Sequence, residues 1–166
     1  MTNTSSAQPD GLRASGSSPS QVDVRGPRFA AWVTTTVLIV TLAVSAVSPA
    51  TAGAILGLQA VVFAIGALLG PHRAPYGTIF RTLIQPRLSP VTEREPIPPL
   101  QFAQLLGFTF AAIGAVGFAT GVTLLGVVAT AFALGAAFLN AAFGICLGCQ
   151  LYPLVTRFRH TQPSAQ

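Results

Sequence analysis

The chain has 166 residues, of which 51% are hydrophobic and only 8% are charged. An ordinary soluble domain has roughly 25% charged residues, so this composition excludes a water-soluble globular fold and indicates a membrane protein. The formal net charge of +5 does not predict nucleic-acid binding, because the arginines flank the apolar segments, where membrane topology and anionic lipid headgroups account for them.

The chain begins with a segment that is rich in Ser, Pro, Gly and Thr and shows no apolar periodicity. A segment of this composition cannot bury enough apolar surface to fold alone. We therefore predict a disordered N-terminal tail over residues 1–28 and, after the last helix, a short C-terminal tail over residues 158–166.

Two long stretches without a fixed charge follow, at residues 29–72 and 96–156. A helix needs about 20 apolar residues to cross the hydrocarbon core, so each stretch accommodates two crossings. Turn signals divide both stretches, S-P-A-T at 48–51 and T-G-V-T at 120–123. The predicted fold is therefore all-α, an integral membrane four-helix bundle made of two helical hairpins over residues 29–157. The four predicted helices span about 29–47, 50–69, 102–119 and 122–145.

The loop between the hairpins contains a further helical pattern. Apolar residues from Tyr76 to Ile84 recur at helical spacing, and Pro75 and Pro86 bound the pattern. It predicts a short amphipathic interfacial helix at about 75–85. This helix would either lie in the headgroup plane or pack on the mouth of the bundle as a plug.

All nine basic residues are arginines, and they lie before the first helix, between the second and third, or after the fourth. The turns inside the two hairpins carry no charge. By the positive-inside rule, both termini and the central loop face the cytosol. We therefore expect a multi-pass protein of the cell inner (cytoplasmic) membrane that contacts the lipid bilayer along its length.

Gln59 and Asn140 are the strongest hydrogen-bonding side chains at membrane depth. An unpaired amide in hydrocarbon is costly, so we expect both to face the bundle interior. Their role is either interhelical hydrogen bonding or a polar contact for a quinone or a permeating solute.

Glycines recur four residues apart in the apolar segments. The pairs are Gly53 and Gly57, Gly66 and Gly70, Gly117 and Gly121, and Gly144 and Gly148. This spacing lets helix backbones approach closely, either within the bundle or between copies of the chain, and so allows a homo-oligomer.

Cys146 and Cys149 are the only cysteines, spaced C-x-x-C at the end of the last apolar segment. Three interpretations compete: packed small hydrophobes, a redox or sulfur-relay pair, and a metal site. A metal would need further ligands, and the chain has only His72 and His160. Because the cytosol is reducing, we expect two free or cycling thiols rather than a permanent disulfide.

The local backbone affects the reactivity of this pair. At the C-terminus of a helix the macrodipole opposes a thiolate, whereas a break that makes the pair the start of a new turn favours one. Gly144 and Gly148 allow distortion and Pro153 removes a helical donor, so the helix is expected to fray here. Both arrangements of the dipole remain open.

Several short motifs are similar to those of a known family. They are P-R-F-A at 27–30, P-Y-G at 75–77, F-A-Q at 102–104 and L-N-A-A-F-G at 139–144, followed by C-L-G-C. The chain resembles, from about Arg25 to Arg157, a family of small actinobacterial multi-pass membrane proteins known only as a domain of unknown function. The resemblance implies two kinds of soluble partner, thioredoxin-like proteins and thiosulfate sulfurtransferases.

We therefore expect Cys146 and Cys149 to be catalytic, as a cytosol-facing thiol pair that relays reducing equivalents or sulfane sulfur with a thioredoxin-like or sulfurtransferase partner. We expect no cofactor and no resident metal. The alternative is a non-enzymatic membrane scaffold or small-solute transporter subunit, in which the cysteines are packed or ligate a metal.

Overall fold

The computed structural model describes residues 21–90 and 93–160. The greater part of both predicted tails, residues 1–20 and 161–166, lies outside the described residues. The elements, in chain order, are β1 (Gln21–Asp23), α1 (Arg25–Ser45), α2 (Pro49–Leu69), α3 (Pro75–Ile79), a π-helical turn (Phe80–Ile84), a 3-10 turn (Gln85–Arg87), β2 (Arg94–Pro96), α4 (Ile97–Ala119), α5 (Thr123–Phe143) and α6 (Leu147–His160).

The prediction of an all-α bundle with four apolar helices is confirmed. Helices α1, α2, α4 and α5 have 21, 21, 23 and 21 residues and are apolar enough to cross a membrane. Helix α4 begins at Ile97 rather than near Phe102, although Pro98 and Pro99 then fall in its first turn. The first turn tolerates proline because its N–H groups have no intrahelical partner there.

The four long helices form a closed ring in which α1 contacts α2 and α5, and α4 contacts the same two helices. Glycine permits the closest approach, between α4 and α5: a Cβ at Gly117 would lie 2.7 Å from the backbone nitrogen of Gly126. Large apolar side chains form a packed core inside the ring, among them Leu38, Leu56 and Phe118. The glycine pattern therefore acts within the bundle at this crossing.

The outer surface of the ring is apolar, as a lipid-facing surface must be. Between 22% and 39% of each candidate span is buried, and large side chains such as Leu58, Leu68 and Leu124 point outward. In water this surface would be strongly unfavourable, whereas lipid tails solvate it. Packing and composition thus agree on a lipid bilayer environment.

Residues 21–28 correct the predicted N-terminal tail, because they are structured. Strand β1 pairs antiparallel with β2, with Val22 opposite Glu95. The Arg25 backbone N–H donates to Asp23 Oδ1 at 3.0 Å, and its guanidinium donates to the Ser89 carbonyl at 3.0 Å. The pairing partner supplies the backbone hydrogen bonds that the segment cannot make alone.

The central loop packs on the mouth of the bundle, the second of its two predicted placements. Its helical part is short and irregular, with α3 passing into the π-helical turn. Tyr76 Oη donates to Gln59 Oε1 on α2 at 2.7 Å. The Phe80 ring is buried and lies 5.9 Å from the ring of Phe29 on α1. The loop therefore closes part of the arginine-rich end of the bundle.

Replacing Tyr76 with Phe should destabilise the protein by about 1–3 kcal/mol, because Gln59, only 2% exposed, loses the donor to its Oε1. Burial also raises the pKa of the Tyr76 phenol. The stability from this group is therefore present below the ordinary tyrosine pKa and is lost as the pH rises through the raised one, so the difference between the two proteins should shrink at strongly alkaline pH.

Unfolding in mixed micelles at several pH values measures this effect. The matched control is Tyr152→Phe, since the Tyr152 hydroxyl makes no hydrogen bond within the part of the chain that the structure describes. The control should change stability by less than about 0.5 kcal/mol. Equal losses in both variants would contradict the assignment.

Candidate functional site

The last long helix ends earlier than predicted, and a new helix begins at the cysteines. Helix α5 stops at Phe143, and Gly144 adopts a left-handed conformation with φ of 69°. The Gly144 N–H donates to the Asn140 carbonyl at 3.1 Å, which closes the helix end. The predicted extension to Ile145 is wrong because a left-handed residue cannot continue the helix.

Cys146 therefore occupies the residue before α6, and Cys149 lies in the first turn of that helix. The Cys149 N–H donates to Cys146 Sγ at 3.3 Å, so the sulfur caps the helix as a serine oxygen commonly does. Of the two dipole arrangements left open by the sequence, the structure has the one in which the pair stands at a helix N-terminus. This position favours negative charge on sulfur.

The two sulfurs are joined in a disulfide, with the Cα atoms 5.2 Å apart. A separation of about 4.4–6.8 Å is usual for disulfides, so the first turn of α6 accommodates the bridge. Of the two expected states, free thiols or a cycling pair, the bridge is incompatible with the first. The structure has the oxidised member of the pair, which is one of the two states that a cycling pair must adopt.

Helix α6 is held against α4 by two contacts that flank Cys149. A Cβ at Gly148 would lie 2.5 Å from the Cα atom of Ala103, so only glycine allows this approach. One turn later, the Tyr152 ring meets the Phe102 ring edge-on at 6.0 Å. The second glycine of the C-L-G-C segment thus positions the disulfide against the bundle.

A cavity of about 660 Å³ lies inside the bundle, and Cys146 is one of its lining residues whereas Cys149 is not. All four long helices line it, mostly with Ala, Gly, Leu and Phe side chains. The two cysteines therefore have different surroundings. Cys146 lines the cavity, whereas Cys149, in the first turn of α6, does not.

Amide side chains from three helices line the same cavity. Gln59 and Asn140 are among them, as predicted for the bundle interior, and Gln104 on α4 joins them. Within residues 21–90 and 93–160, the Gln104 and Asn140 amides make no hydrogen bond. The sequence analysis did not identify Gln104 as a polar interior residue, although it is the last residue of the F-A-Q motif at 102–104.

A smaller cleft of about 440 Å³ adjoins the helix break on its polar side, lined by Arg28, Glu93, Glu95 and Gly144 among others. Burial raises the pKa of the Glu95 carboxyl, and the positive charge of Arg28 partly opposes that rise. A Cβ at Gly144 would lie 3.8 Å from Arg28 Cζ. A positive charge therefore lies beside the carboxyl end of α5, where the helix dipole favours it.

His72 lines the main cavity, while the His160 side chain lies outside the described residues. In the described part of the chain, no group of three or more His, Cys, Asp or Glu side chains could hold a metal ion.

No curated protein and no solved structure matches the chain significantly. A family model, in contrast, matches residues 22–157, which include all four long helices and both cysteines. The chain therefore belongs to the family described as Domain of unknown function (DUF4395).

Proposed function

We propose that the protein is a membrane thiol relay, in which Cys146 and Cys149 pass reducing equivalents or a sulfane sulfur to and from a soluble thioredoxin-like or sulfurtransferase partner. The observation that carries the proposal is the C-x-x-C pair at the start of α6, which is bridged and of which only one cysteine lines the cavity. A buried pair acting only as packing has no need of a helix break at this point.

The two sulfurs have different roles in the exchange. When the disulfide opens, the better leaving group is the thiolate that the helix N-terminus and the Cys149 N–H stabilise, which is Cys146. A partner thiolate therefore attacks the Cys149 sulfur, the Cys146–Cys149 bond breaks, and a mixed disulfide forms on Cys149. A second partner thiolate then releases Cys149 as a thiol and leaves the partner oxidised.

Sulfane sulfur transfer begins from the reduced state of the same pair, in which both cysteines are thiols. The Cys146 thiolate attacks the outer sulfur of a partner persulfide, so that the partner leaves as a thiolate and Cys146 carries the persulfide. The Cys149 thiolate then attacks the inner sulfur, releasing hydrosulfide and closing the disulfide.

The side of the membrane is part of the proposal. The arginines from Arg25 to Arg94 lie just before or within the start of α1, in the central loop and in β2, at the end of the bundle where α1 and α4 begin, and α6 starts at that same end. The positive-inside rule supports a cytosolic location for this end, in the cytoplasmic membrane. A cytosolic partner would then reach the pair directly.

Labelling with a membrane-impermeant maleimide in right-side-out and inverted vesicles tests the proposal. We expect labelling only in inverted vesicles, because the proposed pair faces the cytosol, and stronger labelling after treatment with a phosphine reductant, because a cycling pair is partly in the disulfide state. The Cys146→Ser/Cys149→Ser double variant provides the unlabelled control. Labelling in right-side-out vesicles would contradict the orientation. Cysteines that label in neither orientation, with or without reductant, would favour the scaffold or transporter alternative.

A further inference from the structure

We infer that the cavity beside Cys146 binds a quinone, which takes two electrons from the reduced cysteine pair. This inference rests on the proposed function and names the small-molecule partner of the same site. The volume of about 660 Å³ falls within the usual range of small-molecule sites, about 300–1,000 Å³. The cavity therefore has room for a quinone ring with part of an apolar tail.

The lining favours a lipid-soluble molecule over an ion. The charged side chains on the cavity, Asp23, Arg81 and Arg94, come from β1, the central loop and β2, whereas the long helices contribute only apolar, amide and hydroxyl side chains. An anion such as thiosulfate would find no cation at that depth to offset its desolvation. A neutral ring carries no such cost.

One aromatic side chain connects the cavity lining with the lipid-facing surface. Phe132 on α5 lines the cavity and is 64% exposed, and its ring stacks on that of Phe110 at a centroid distance of 6.0 Å. The inferred route for a ligand dissolved in the bilayer therefore passes these two rings, whose movement would admit it without a passage through water.

The amides supply the polar recognition that a hydrocarbon chain would not use. Gln104 and Asn140 line the cavity and, within the described part of the chain, have no hydrogen-bond partner. Gln59 accepts from Tyr76, and its amide nitrogen makes only a long contact of 3.5 Å with Thr34 Oγ1. A quinone has two carbonyl oxygens that accept from such amides, whereas a lipid acyl chain would leave them unsatisfied.

The electron count of the reaction balances. The Cys146 and Cys149 thiols lose two protons and two electrons and form the S–S bond. The quinone gains both electrons and both protons, so its two carbonyl oxygens become the hydroxyls of a hydroquinone. Reducing equivalents thus arrive from the soluble partner at Cys149 and leave from Cys146 into the bilayer.

The first test uses the full chain in lipid nanodiscs, reduced and then freed of reductant under anaerobic conditions. Adding decylubiquinone should produce one hydroquinone and one disulfide per protein. Ala136→Phe, which fills the cavity from α5, should slow this reaction at least about tenfold, as should Gln104→Leu, which removes an amide donor. Ala131→Phe, on the exposed side of the same helix, should leave the rate unchanged.

The second test measures binding without the thiols and so separates this inference from the proposed function. In the Cys146→Ser/Cys149→Ser variant, a photoreactive azidoquinone should crosslink to lining residues of α4 or α5, and excess decylubiquinone should displace it. Ala136→Phe should abolish this crosslinking. Crosslinking confined to lipid-facing residues, or unchanged by Ala136→Phe, would overturn the inference. Displaceable crosslinking in the cavity of this variant, together with a wild-type protein that exchanges disulfides with no soluble partner, would overturn the proposed function alone.

Discussion

A Cys146→Ser variant should accumulate a mixed disulfide between Cys149 and a cytosolic thiol protein, while Cys149→Ser should not. The reason lies in the first turn of α6, where Cys146 is the sulfur that the helix N-terminus and the Cys149 N–H stabilise as a thiolate. In the wild type this thiolate attacks the mixed disulfide on Cys149 and releases the partner. In the Cys146→Ser variant the complex forms when the Cys149 thiolate attacks the disulfide of an oxidised partner, and only the partner's own second thiol can then resolve it, so the mixed disulfide accumulates.

The complex can be measured by non-reducing electrophoresis after rapid acid quenching, followed by mass spectrometry of the band that reductant removes. The Cys146→Ser/Cys149→Ser variant controls for adventitious disulfides elsewhere in the partner. If Cys149→Ser traps the partner and Cys146→Ser does not, the assignment of leaving and attacked sulfur is reversed. If neither single variant traps any protein under oxidising conditions, the relay itself is contradicted.

Gly148→Ala should be the most damaging conservative change near the site. The added Cβ would lie 2.5 Å from Ala103 Cα and 2.6 Å from Ala103 Cβ, so α6 must move away from α4. Overpacking of this kind costs about 1–3 kcal/mol. Because Cys149 is the next residue, the same movement should also slow the reaction of the pair with a soluble thiol.

Gly135→Ala is the matched control, since nothing lies within 4 Å of a Cβ built at Gly135. In a helix interior this change should be neutral or stabilising, by up to about 1 kcal/mol. Unfolding in mixed micelles and the rate of disulfide reduction by glutathione measure both variants. A Gly148→Ala protein as stable and as rapidly reduced as the control would show that the α4 contact does not position α6.

The sequence was sufficient to predict the four membrane helices because their signal is local. Fixed charges are absent from two stretches of suitable length, and a turn motif divides each one. The pairing of β1 with β2 could not be predicted in the same way. It joins two three-residue segments far apart in the chain, neither of which has a strand pattern of its own.

The candidate site was predictable only in part. Cys146 and Cys149 stand out in the sequence, but which side of a helix break they occupy depends on the positive φ of Gly144, and the residues allow either arrangement. The cavity is a product of tertiary packing among small side chains from four helices, so no short segment indicates it. Gln104 can be recognised as a candidate ligand-binding residue only once its place on the cavity is known.

The two hairpins determine from which side of the membrane other molecules can reach the cysteines. At the end of the bundle away from the arginines, residues 21–90 and 93–160 contribute only two uncharged turns, at 46–48 and 120–122. Two short uncharged turns offer a soluble protein very little surface to bind, and they contribute no charged group that leads into the bundle. A soluble molecule therefore reaches the cysteines from the arginine-rich side, and an apolar molecule can also reach them from the lipid. Access from water is thus confined to one side of the membrane.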